Sequence, residues 1–368
     1  MIKVNTCFIY TLYGLTITST RSLPGLTPID TQDSTNLQSD VWVELLELTE
    51  SEPDILADSF WQVSAVDIQQ QGFYLWQSQQ DDGLYWRLRS LNDEDLLDFV
   101  INPDGAQVWG FWSAAHLFQD AVSLLLGAVL GHLLRLRDVP CLHSSVVEIE
   151  GAAIALIGES GAGKSTTAAA LAFQGYPMLT DDIAALHWCD DRGCDDQVWV
   201  QPGYPSLRLW SPSLEALQVS NTELSRVSSR FDKCFLNLSD AQVNADSTHP
   251  HFTTQSLPLK AIYVLAPRSN LGQSAIVESL PPMLALQQLL THAYGRGVLT
   301  RAQSQTEFRQ LAAIAQTLPI RLLHRPDDLQ KLDDLCTVIA EDFADLQRPN
   351  NTPPTDILPT NKPMPIAV

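Results

Sequence analysis

Residues 153–166 read A-I-A-L-I-G-E-S-G-A-G-K-S-T, and this stretch decides the fold of the chain. Within it, residues 158–165 fit the pattern G-x-x-x-x-G-K-[ST]. The pattern has a physical basis, because phosphates need several backbone N–H groups that converge on one point. Only a loop with little side-chain bulk can wrap a phosphate so closely. The sequence therefore predicts a phosphate-binding loop, or P-loop, that holds a nucleotide.

The charged and hydroxyl side chains of this loop have separate predicted roles. Lys164 supplies a mobile cation for the outer phosphates, and the Ser165 hydroxyl is suited to ligate Mg²⁺. A helix that begins at Lys164 adds the positive end of its dipole. The candidate nucleotide-binding residues are Gly158, Glu159, Ser160, Gly161, Ala162, Gly163, Lys164, Ser165 and Thr166. The sequence leaves the choice between ATP and GTP open.

The segments on either side of the loop agree with this interpretation. Residues 153–157 read as a short apolar strand that runs straight into the glycines, and residues 145–149 form another strand before it. An alanine-rich helix is predicted from Lys164 to about Gln174, with Gly175 where a C-terminal cap is expected. These patterns favour an α/β fold in which the loop joins a strand to a helix.

Two acidic residues, Asp181 and Asp182, follow the next predicted strand. An acid at the end of an apolar strand beside the loop can hold Mg²⁺ through water. The neighbouring acid can orient a hydroxyl nucleophile and accept its proton. An Asp-Asp pair is also an ordinary turn, so the position after the loop helix supports the functional interpretation. His143, Arg208 and Lys233 stay open between a role in the site and an ordinary structural or surface role.

The charge balance argues against two classes of partner. The chain has 22 basic and 43 acidic residues, which gives a net charge of -21. Such a surface repels nucleic-acid phosphates and anionic lipid, so we expect neither nucleic acid nor membrane as a partner. The longest apolar run, residues 122–136, is shorter than the roughly 18 residues of a membrane span and predicts a buried core helix. We see no signal peptide and expect a soluble, cytoplasmic protein.

Three regions are predicted along the chain. Residues 1–115 read as strands and turns and predict a β-rich N-terminal domain. Residues 116–347 contain the loop, and an apolar helix from about residue 114 to 137 is expected to join the two halves. Residues 348–368 contain six prolines and little periodicity, which is typical of a disordered tail.

Two shorter patterns concern local structure. Cys189 and Cys194 flank Asp-Asp-Arg-Gly, a predicted hairpin turn, and would face each other across its strands. A metal site there would need two more ligands, so plain hairpin residues are the preferred interpretation. Further along, Ser304 and Glu307 have the spacing of a capping box and predict the start of a helix over residues 306–318.

Three segments together resemble the HPr kinase/phosphorylase catalytic domain. They are C-L-H-S-S-V-V at residues 141–147, the loop at residues 158–165, and G-Y-P-M-L-T-D-D at residues 175–182. In that family a leucine–histidine pair opens the domain, a hairpin leads to the P-loop, and a strand closes with Asp-Asp. Residues 10–24 are similar to the opening of HPr-kinase-like proteins, some of which phosphorylate a precursor peptide.

The resemblance implies an α/β fold with a P-loop kinase domain of the HPr kinase/phosphoenolpyruvate carboxykinase type, preceded by a smaller β-rich N-terminal domain. It implies Mg²⁺-assisted, ATP-dependent phosphorylation of a serine hydroxyl on a protein or peptide. Carried over, Lys164 and Ser165 bind the nucleotide phosphates and the metal. Asp181 is the preferred general base, and His143 lies near this base. Asp182, together with Ser165, is expected to bind the metal.

Two other functions stay open from the residues themselves. One is a nucleotide-binding regulatory module without transfer activity, and the other is a kinase for a small molecule. The combination of Lys164 with Asp181 and Asp182 favours the serine kinase. The sequence does not name the phosphoacceptor, and it leaves a homo-oligomer open. Thr166 stands where the family has glutamate, which is a departure from the pattern.

Overall fold

The computed structural model describes residues 7–30, 38–48, 53–57, 61–63, 73–90, 96–114, 117–188, 197–220, 224–228, 231–238, 250–269, 274–295, 297 and 299–348. Within these residues the chain is mixed α/β, with two eight-stranded sheets and one three-stranded sheet. The predicted turn between Cys189 and Cys194 lies outside the described residues, as does the proline-rich tail from residue 349.

The N-terminal half of the chain forms one sheet. Its strands are β1 (Phe8–Leu12), β2 (Leu15–Ser19), β3 (Val41–Glu47), β4 (Gln62–Val63), β5 (Phe73–Gln80), β6 (Gly83–Ser90), β7 (Leu97–Ile101) and β8 (Gln107–Trp112). The order across the sheet is β1-β2-β3-β8-β7-β6-β5-β4. Antiparallel hairpins dominate, but β3 pairs in parallel with both β2 and β8. Alternating buried positions along β3 show that one face of the sheet packs inward.

A long apolar helix packs against this sheet. It runs as α1 (Phe118–Leu124), a π-helical turn (Leu125–Val129) and α2 (Leu130–Leu136). Among the described residues it is the one helix long and apolar enough to span a membrane, and 67% of its apolar window is buried inside the protein. Its side chains share a core with Phe99 and Trp112 of the sheet. The helix is therefore a core element, as the sequence predicted.

The core under this helix continues past the predicted boundary between residues 115 and 116. It includes Cys141, Ile183, Ala185 and Tyr204, which come from the second half of the chain. The N-terminal sheet and its helix thus pack directly against strands that flank the glycine-rich loop. The division of the chain into domains stays a prediction.

The second half of the chain builds the other two sheets. Its strands are β9 (Cys141–Ile149), β10 (Ala152–Ile157), β11 (Met178–Thr180), β12 (Ile183–Trp188), β13 (Val198–Val200), β14 (Ser206–Trp210), β15 (Arg226–Ser228), β16 (Phe231–Asn237), β17 (Leu257–Leu265), β18 (Ile276–Ser279) and β19 (Ile320–His324). The three-stranded sheet has the order β14-β16-β15. In the larger sheet, β10 is antiparallel to β9 on one side and parallel to β17 on the other. Because β17 is also parallel to β19, the carboxyl ends of β10, β17 and β19 meet at one edge.

Helices cover both faces of this larger sheet. They are α3 (Lys164–Phe173), α4 (Ser211–Ala216), α5 (Pro282–Thr291), α6 (Arg301–Thr317) and α7 (Leu332–Gln347). Leu171 of α3 and Phe343 of α7 belong to the core on one face. Leu289 of α5 and Leu311 of α6 belong to the core on the other. The loop before α3 therefore connects the central strand β10 to a helix that packs on one face of the sheet.

The predicted start of the α6 helix was wrong. Thr300 is its N-cap: the Thr300 hydroxyl accepts from the Gln303 N–H at 3.2 Å, and the Gln303 side chain accepts from the Thr300 N–H at 2.9 Å. Glu307, expected to complete a cap with Ser304, is instead 3% exposed and forms an ion pair with Arg135 of α2. This carboxylate ties α6 to the long apolar helix.

Candidate functional site

The glycine-rich loop lies between β10 and α3, at the carboxyl end of β10. Three of its glycines have positive φ angles: Gly158 at 153°, Gly161 at 76° and Gly163 at 93°. Side chains with a Cβ rarely adopt such backbone conformations, so the spacing of these glycines follows from the shape of the loop. Gly163 is also the N-cap residue of α3. The positive end of the helix dipole therefore faces the loop, an arrangement that attracts anions.

Lys164 folds back over the loop. Its Nζ donates to the carbonyl oxygens of Gly158 at 2.9 Å and Glu159 at 3.2 Å, and the residue is buried. Burial lowers the pKa of the ammonium group, while the carboxylates of Asp181 and Asp182 act in the opposite direction. Inside the loop, the ammonium group therefore has two backbone carbonyl oxygens as hydrogen-bond partners and, within the described part of the chain, no carboxylate bonded to it directly. Phosphate oxygens can replace the two carbonyl oxygens as its partners.

Asp181 is fixed by three hydrogen bonds at the end of β11. Its Oδ1 accepts from the Ser145 hydroxyl at 2.6 Å and from the Ser165 hydroxyl at 2.9 Å. Its Oδ2 accepts from the backbone N–H of Arg208 at 3.1 Å, and the residue is only 2% exposed. Asp181 therefore connects the loop serine to the strands on both sides of it.

Asp182 faces a different set of neighbours. Its φ angle of 76° turns the chain sharply after Asp181. Its Oδ1 lies 3.3 Å from His143 Nδ1, and its Oδ2 accepts from the Arg208 guanidinium at 3.4 Å. Burial raises the pKa of this carboxyl, but Arg208, then His143, Lys233 and Lys164, hold it below the usual value. At neutral pH Asp182 is therefore a carboxylate that can accept hydrogen bonds.

His143 lies on the solvent side of Asp182, and its side chain is 37% exposed. The imidazole stacks on Tyr294, with ring centroids 6.1 Å apart and an interplanar angle of 24°. The His143 backbone N–H donates to the His292 carbonyl at 2.8 Å, which fixes this end of β9. Burial lowers the pKa of the imidazole, and Asp182 opposes this effect. The ring is therefore mainly neutral at pH 7, and it can both donate and accept a hydrogen bond.

No family model matches the chain. A stretch of 72 residues is 38% identical to the HPr kinase/phosphorylase of Lactobacillus delbrueckii subsp. bulgaricus. The family resemblance is confirmed. The match covers 19% of this chain and 23% of the relative, so the chain is HPr-kinase-like over less than a quarter of that protein.

One solved structure aligns with this chain over almost the whole length of the solved chain. The Hpr(Ser) kinase/phosphatase from Coxiella burnetii has 10% sequence identity to this chain and a TM-score of 0.28. The alignment covers 56% of this chain and 98% of the solved one. At this TM-score the two structures are not shown to share a fold.

Arg208 has a larger part in the candidate site than its sequence indicated. Its guanidinium donates to Asp182 and, at 3.1 Å, to the Ser123 carbonyl next to the π-helical turn. It also lies over the rings of Tyr204 and Phe235, at 5.5 and 5.6 Å from their centroids. The Arg208 side chain is only 14% exposed, so it is a largely buried cation that orients Asp182, and not an ordinary surface charge. Its partners come from distant segments, so the local sequence left its role open.

Two glycines of the apolar helix were also missed. A Cβ at Gly127, in the π-helical turn, would lie 3.1 Å from the Arg208 guanidinium. A Cβ at Gly131 would clash with the ring of Tyr294, on which His143 stacks. The spacing of four residues was a usable signal, because glycines in a helix usually mark a close approach of another group. The helix therefore packs closely against Arg208 and Tyr294, which contact Asp182 and His143.

Lys233, the other basic residue left open, lies near the same groups. Its charge lowers the pKa of both Asp182 and His143. Its Nζ lies 5.5 Å from the ring of Trp210, which is 43% exposed. Lys233 and Trp210 thus lie together on the β14–β16 pair, close to the carboxylates.

Proposed function

We propose that this chain is an ATP-dependent kinase that transfers the γ-phosphoryl group of ATP to a serine hydroxyl of a protein or peptide. The observation that carries the proposal is the pair of contacts made by two adjacent carboxylates. Asp181 accepts from Ser165 of the glycine-rich loop, and Asp182 contacts His143. One carboxylate is therefore bound to the phosphate loop, and the next one is placed where an acceptor hydroxyl could approach. We assign the surrounding fold to the P-loop type related to HPr kinase and phosphoenolpyruvate carboxykinase.

The oxygen ligands beside the loop fit a magnesium ion. Mg²⁺ is usually held by one or two carboxylates together with substrate phosphates, rather than by a cage made only of protein. Within the described residues no group of three or more His, Cys, Asp or Glu side chains could hold a metal ion. The Ser165 hydroxyl and the Asp181 carboxylate would hold the ion, with Asp182 nearby. When bound, Mg²⁺ would neutralise charge on the β- and γ-phosphates.

The contacts favour Asp182 as the general base, which reverses the assignment preferred from sequence. Both oxygens of Asp181 already accept hydrogen bonds from three donors. Asp182 is 22% exposed and touches the neutral imidazole of His143. In the proposed step, the serine oxygen forms a bond to the γ-phosphorus, and the bond from that phosphorus to the bridging oxygen breaks. The serine proton passes to the Asp182 carboxylate, and ADP leaves.

The experiment that tests this function is transfer of labelled γ-phosphate from ATP to serine-containing proteins and peptides. Peptides in which alanine replaces the serine serve as the control. We expect label on serine that requires Mg²⁺. Tight binding of ATP without transfer to any acceptor, including small hydroxyl compounds, would favour the regulatory nucleotide-binding module. Transfer to a small hydroxyl compound alone would favour the small-molecule kinase.

Replacing Lys164 with alanine is expected to weaken Mg-ATP binding while the fold survives. The ammonium group makes two hydrogen bonds to loop carbonyls, and in the complex these would go to phosphate oxygens. A charge-assisted hydrogen bond of this kind contributes about 1.5–3 kcal/mol, so affinity should fall roughly 10- to 100-fold. Calorimetry with Mg-ATP measures the change, with Lys260→Ala on β17 as the matched lysine control. Equal affinity in wild type and Lys164→Ala would contradict the assignment of the loop.

A further inference from the structure

Two arginines lie at the edge of the sheet where β10, β17 and β19 end. Arg268 follows β17, and Arg325 follows β19. Ile157 of β10 is in register with Val264 of β17, which in turn is in register with Leu322 of β19. Ligands of open α/β sheets bind outside the carboxyl ends of parallel strands. Both arginines therefore lie in the region of this fold where a ligand is expected.

Both guanidinium groups contact the glycine-rich loop. Arg268 donates to the Gly161 carbonyl at 3.0 Å, and Arg325 donates to the Ala162 carbonyl. A Cβ built at Gly163 would lie 3.5 Å from Arg325 and 3.7 Å from Arg268. The loop carbonyls hold one side of each planar group in place, while other N–H groups and the faces of the groups are left for a ligand.

The buried arginine of this pair is incompletely satisfied. Arg325 is 8% exposed, and its buried Nε has no hydrogen-bond partner among the residues that the structure describes. Burial, and then the charge of Arg268, lower the pKa of Arg325 to about 10. Asp327 forms an ion pair with Arg268 at 3.1 Å, and Asp328 and Lys331 also line the cleft. A pair of guanidinium groups attracts a negatively charged or electron-rich group.

The direction of a bound nucleotide follows from the two sides of β10. On the β9 side lie His143, Asp181 and Asp182, which we assign to the transferring end of the phosphates. On the β17 side lie the two arginines. A triphosphate in the loop with its γ-phosphate toward the carboxylates has its nucleoside toward the arginines. A narrow cleft of about 30 Å³ lies there, and its lining includes Thr166, Thr167, Arg268, Arg325, Asp327 and Leu332.

We propose that this cleft is the nucleoside site, in which Arg268 and Arg325 pack on the base of a purine nucleoside triphosphate. Asp327 accepts hydrogen bonds from the ribose hydroxyls, a role that carboxylates have in other nucleotide sites. The proposal rests on the nucleotide-binding function proposed above. Since 30 Å³ is about the space of one water molecule, the proposal requires the cleft to open when the base enters. Arg268 and Asp327, whose side chains are 39% and 51% exposed, line the side of the cleft that is open to solvent.

Comparison of Mg-ATP with Mg-tripolyphosphate tests the proposal, because tripolyphosphate has the phosphates and lacks the nucleoside. Calorimetry is carried out on wild type, Arg268→Ala, Arg268→Lys and Arg325→Lys. Arg301→Ala, an exposed arginine at the start of α6, is the control. We expect each variant at Arg268 or Arg325 to bind Mg-ATP roughly 5- to 30-fold more weakly and to keep its affinity for Mg-tripolyphosphate. Arg268→Lys keeps the charge and loses the planar face, so it should lose ATP affinity as well.

Three results would overturn the proposal. Parallel losses for ATP and tripolyphosphate would show that the arginines only support the loop. Unchanged ATP affinity in Arg268→Ala would show that Arg268 does not touch the nucleoside, and this exposed position avoids the risk that a variant at buried Arg325 fails to fold. A wild type that binds ATP no better than tripolyphosphate would remove the nucleoside site but leave the phosphate loop. A wild type that binds neither would overturn the proposed function itself.

Discussion

Asp182→Asn is expected to lower the rate of phosphoryl transfer by about 10²–10⁴-fold, the usual contribution of a general base. The amide keeps the size of the side chain, but it cannot take the proton of the serine hydroxyl. Its oxygen can still accept from Arg208, so the local structure should survive. Mg-ATP affinity should change little, because binding depends mainly on the loop, Lys164 and the metal. The measurement is transfer of labelled γ-phosphate, with ATP binding followed in parallel.

The matched control for this variant is Asp138→Asn. Asp138 also has a positive φ angle, 60° against 76° for Asp182, and it is exposed. Asparagine tolerates the left-handed region as well as aspartate does. The control should therefore keep full activity, and it separates a backbone effect from the loss of the carboxylate.

Asp181→Asn should act mainly through the metal, whereas Asp182→Asn acts through proton transfer. The Asp181 change removes the charge of a carboxylate that would hold the ion and that also accepts from the Ser165 hydroxyl, so metal affinity should fall by at least the roughly 10- to 100-fold that is typical of supporting partners. More Mg²⁺ should then be needed for half-maximal activity. If Asp181→Asn loses transfer at every Mg²⁺ concentration while Asp182→Asn keeps it, the roles are those preferred from sequence alone.

The local parts of the site could be predicted because their chemistry is contained in short stretches of sequence. The glycines of the loop stand where φ is positive, and the helix begins at Lys164 as expected. The adjacent acids after β11 could also be found. Their separate partners could not, because Ser145 reaches Asp181 only when β9 and β11 pair. A hydrogen bond between distant segments leaves no spacing in the sequence.

The error at α6 has a similar cause. Ser304 and Glu307 have the spacing of a capping box, but Thr300 and Gln303 have the same spacing one turn earlier. Local pattern cannot choose between two such pairs. The choice is made by Arg135, because its buried guanidinium needs the Glu307 carboxylate as a partner. The tertiary ion pair therefore decides which of the two boxes forms.

The core of the N-terminal half supports the site, although its sequence shows no catalytic cluster. Leu126 and Val129 of the π-helical turn lie in the same core as Ile183, the residue after Asp182. Tyr13 of the β1–β2 turn is also buried there, and its backbone N–H donates to the Pro202 carbonyl at 2.7 Å. We therefore expect a loss of stability in the N-terminal sheet to reduce nucleotide binding as well.

Asp98→Asn tests this expectation and should be the most destabilising of the changes discussed. Asp98 and Arg87 are both 0% exposed, and Arg87 donates to Asp98 at 2.6 Å. Arg89, which lies on β6 with Arg87, also donates to Asp98, at 3.1 Å. The substitution removes the negative charge that faces the buried Arg87 guanidinium at 2.6 Å. Breaking one partner of a buried ion pair costs about 3–5 kcal/mol, so the free energy of unfolding should fall by that amount.

Denaturant unfolding followed by tryptophan fluorescence measures the change, and ATP binding is followed through the same titration. Asp334→Asn is the control, because its ion pair with Lys331 is on the surface and the Asp334 side chain is 64% exposed. Its effect should stay within about 1 kcal/mol. Because the core is continuous from the N-terminal sheet to Ile183, we expect fluorescence and ATP binding to be lost together in Asp98→Asn. Loss of the fluorescence transition while ATP binding persists would show that the second half of the chain is stable without the N-terminal sheet.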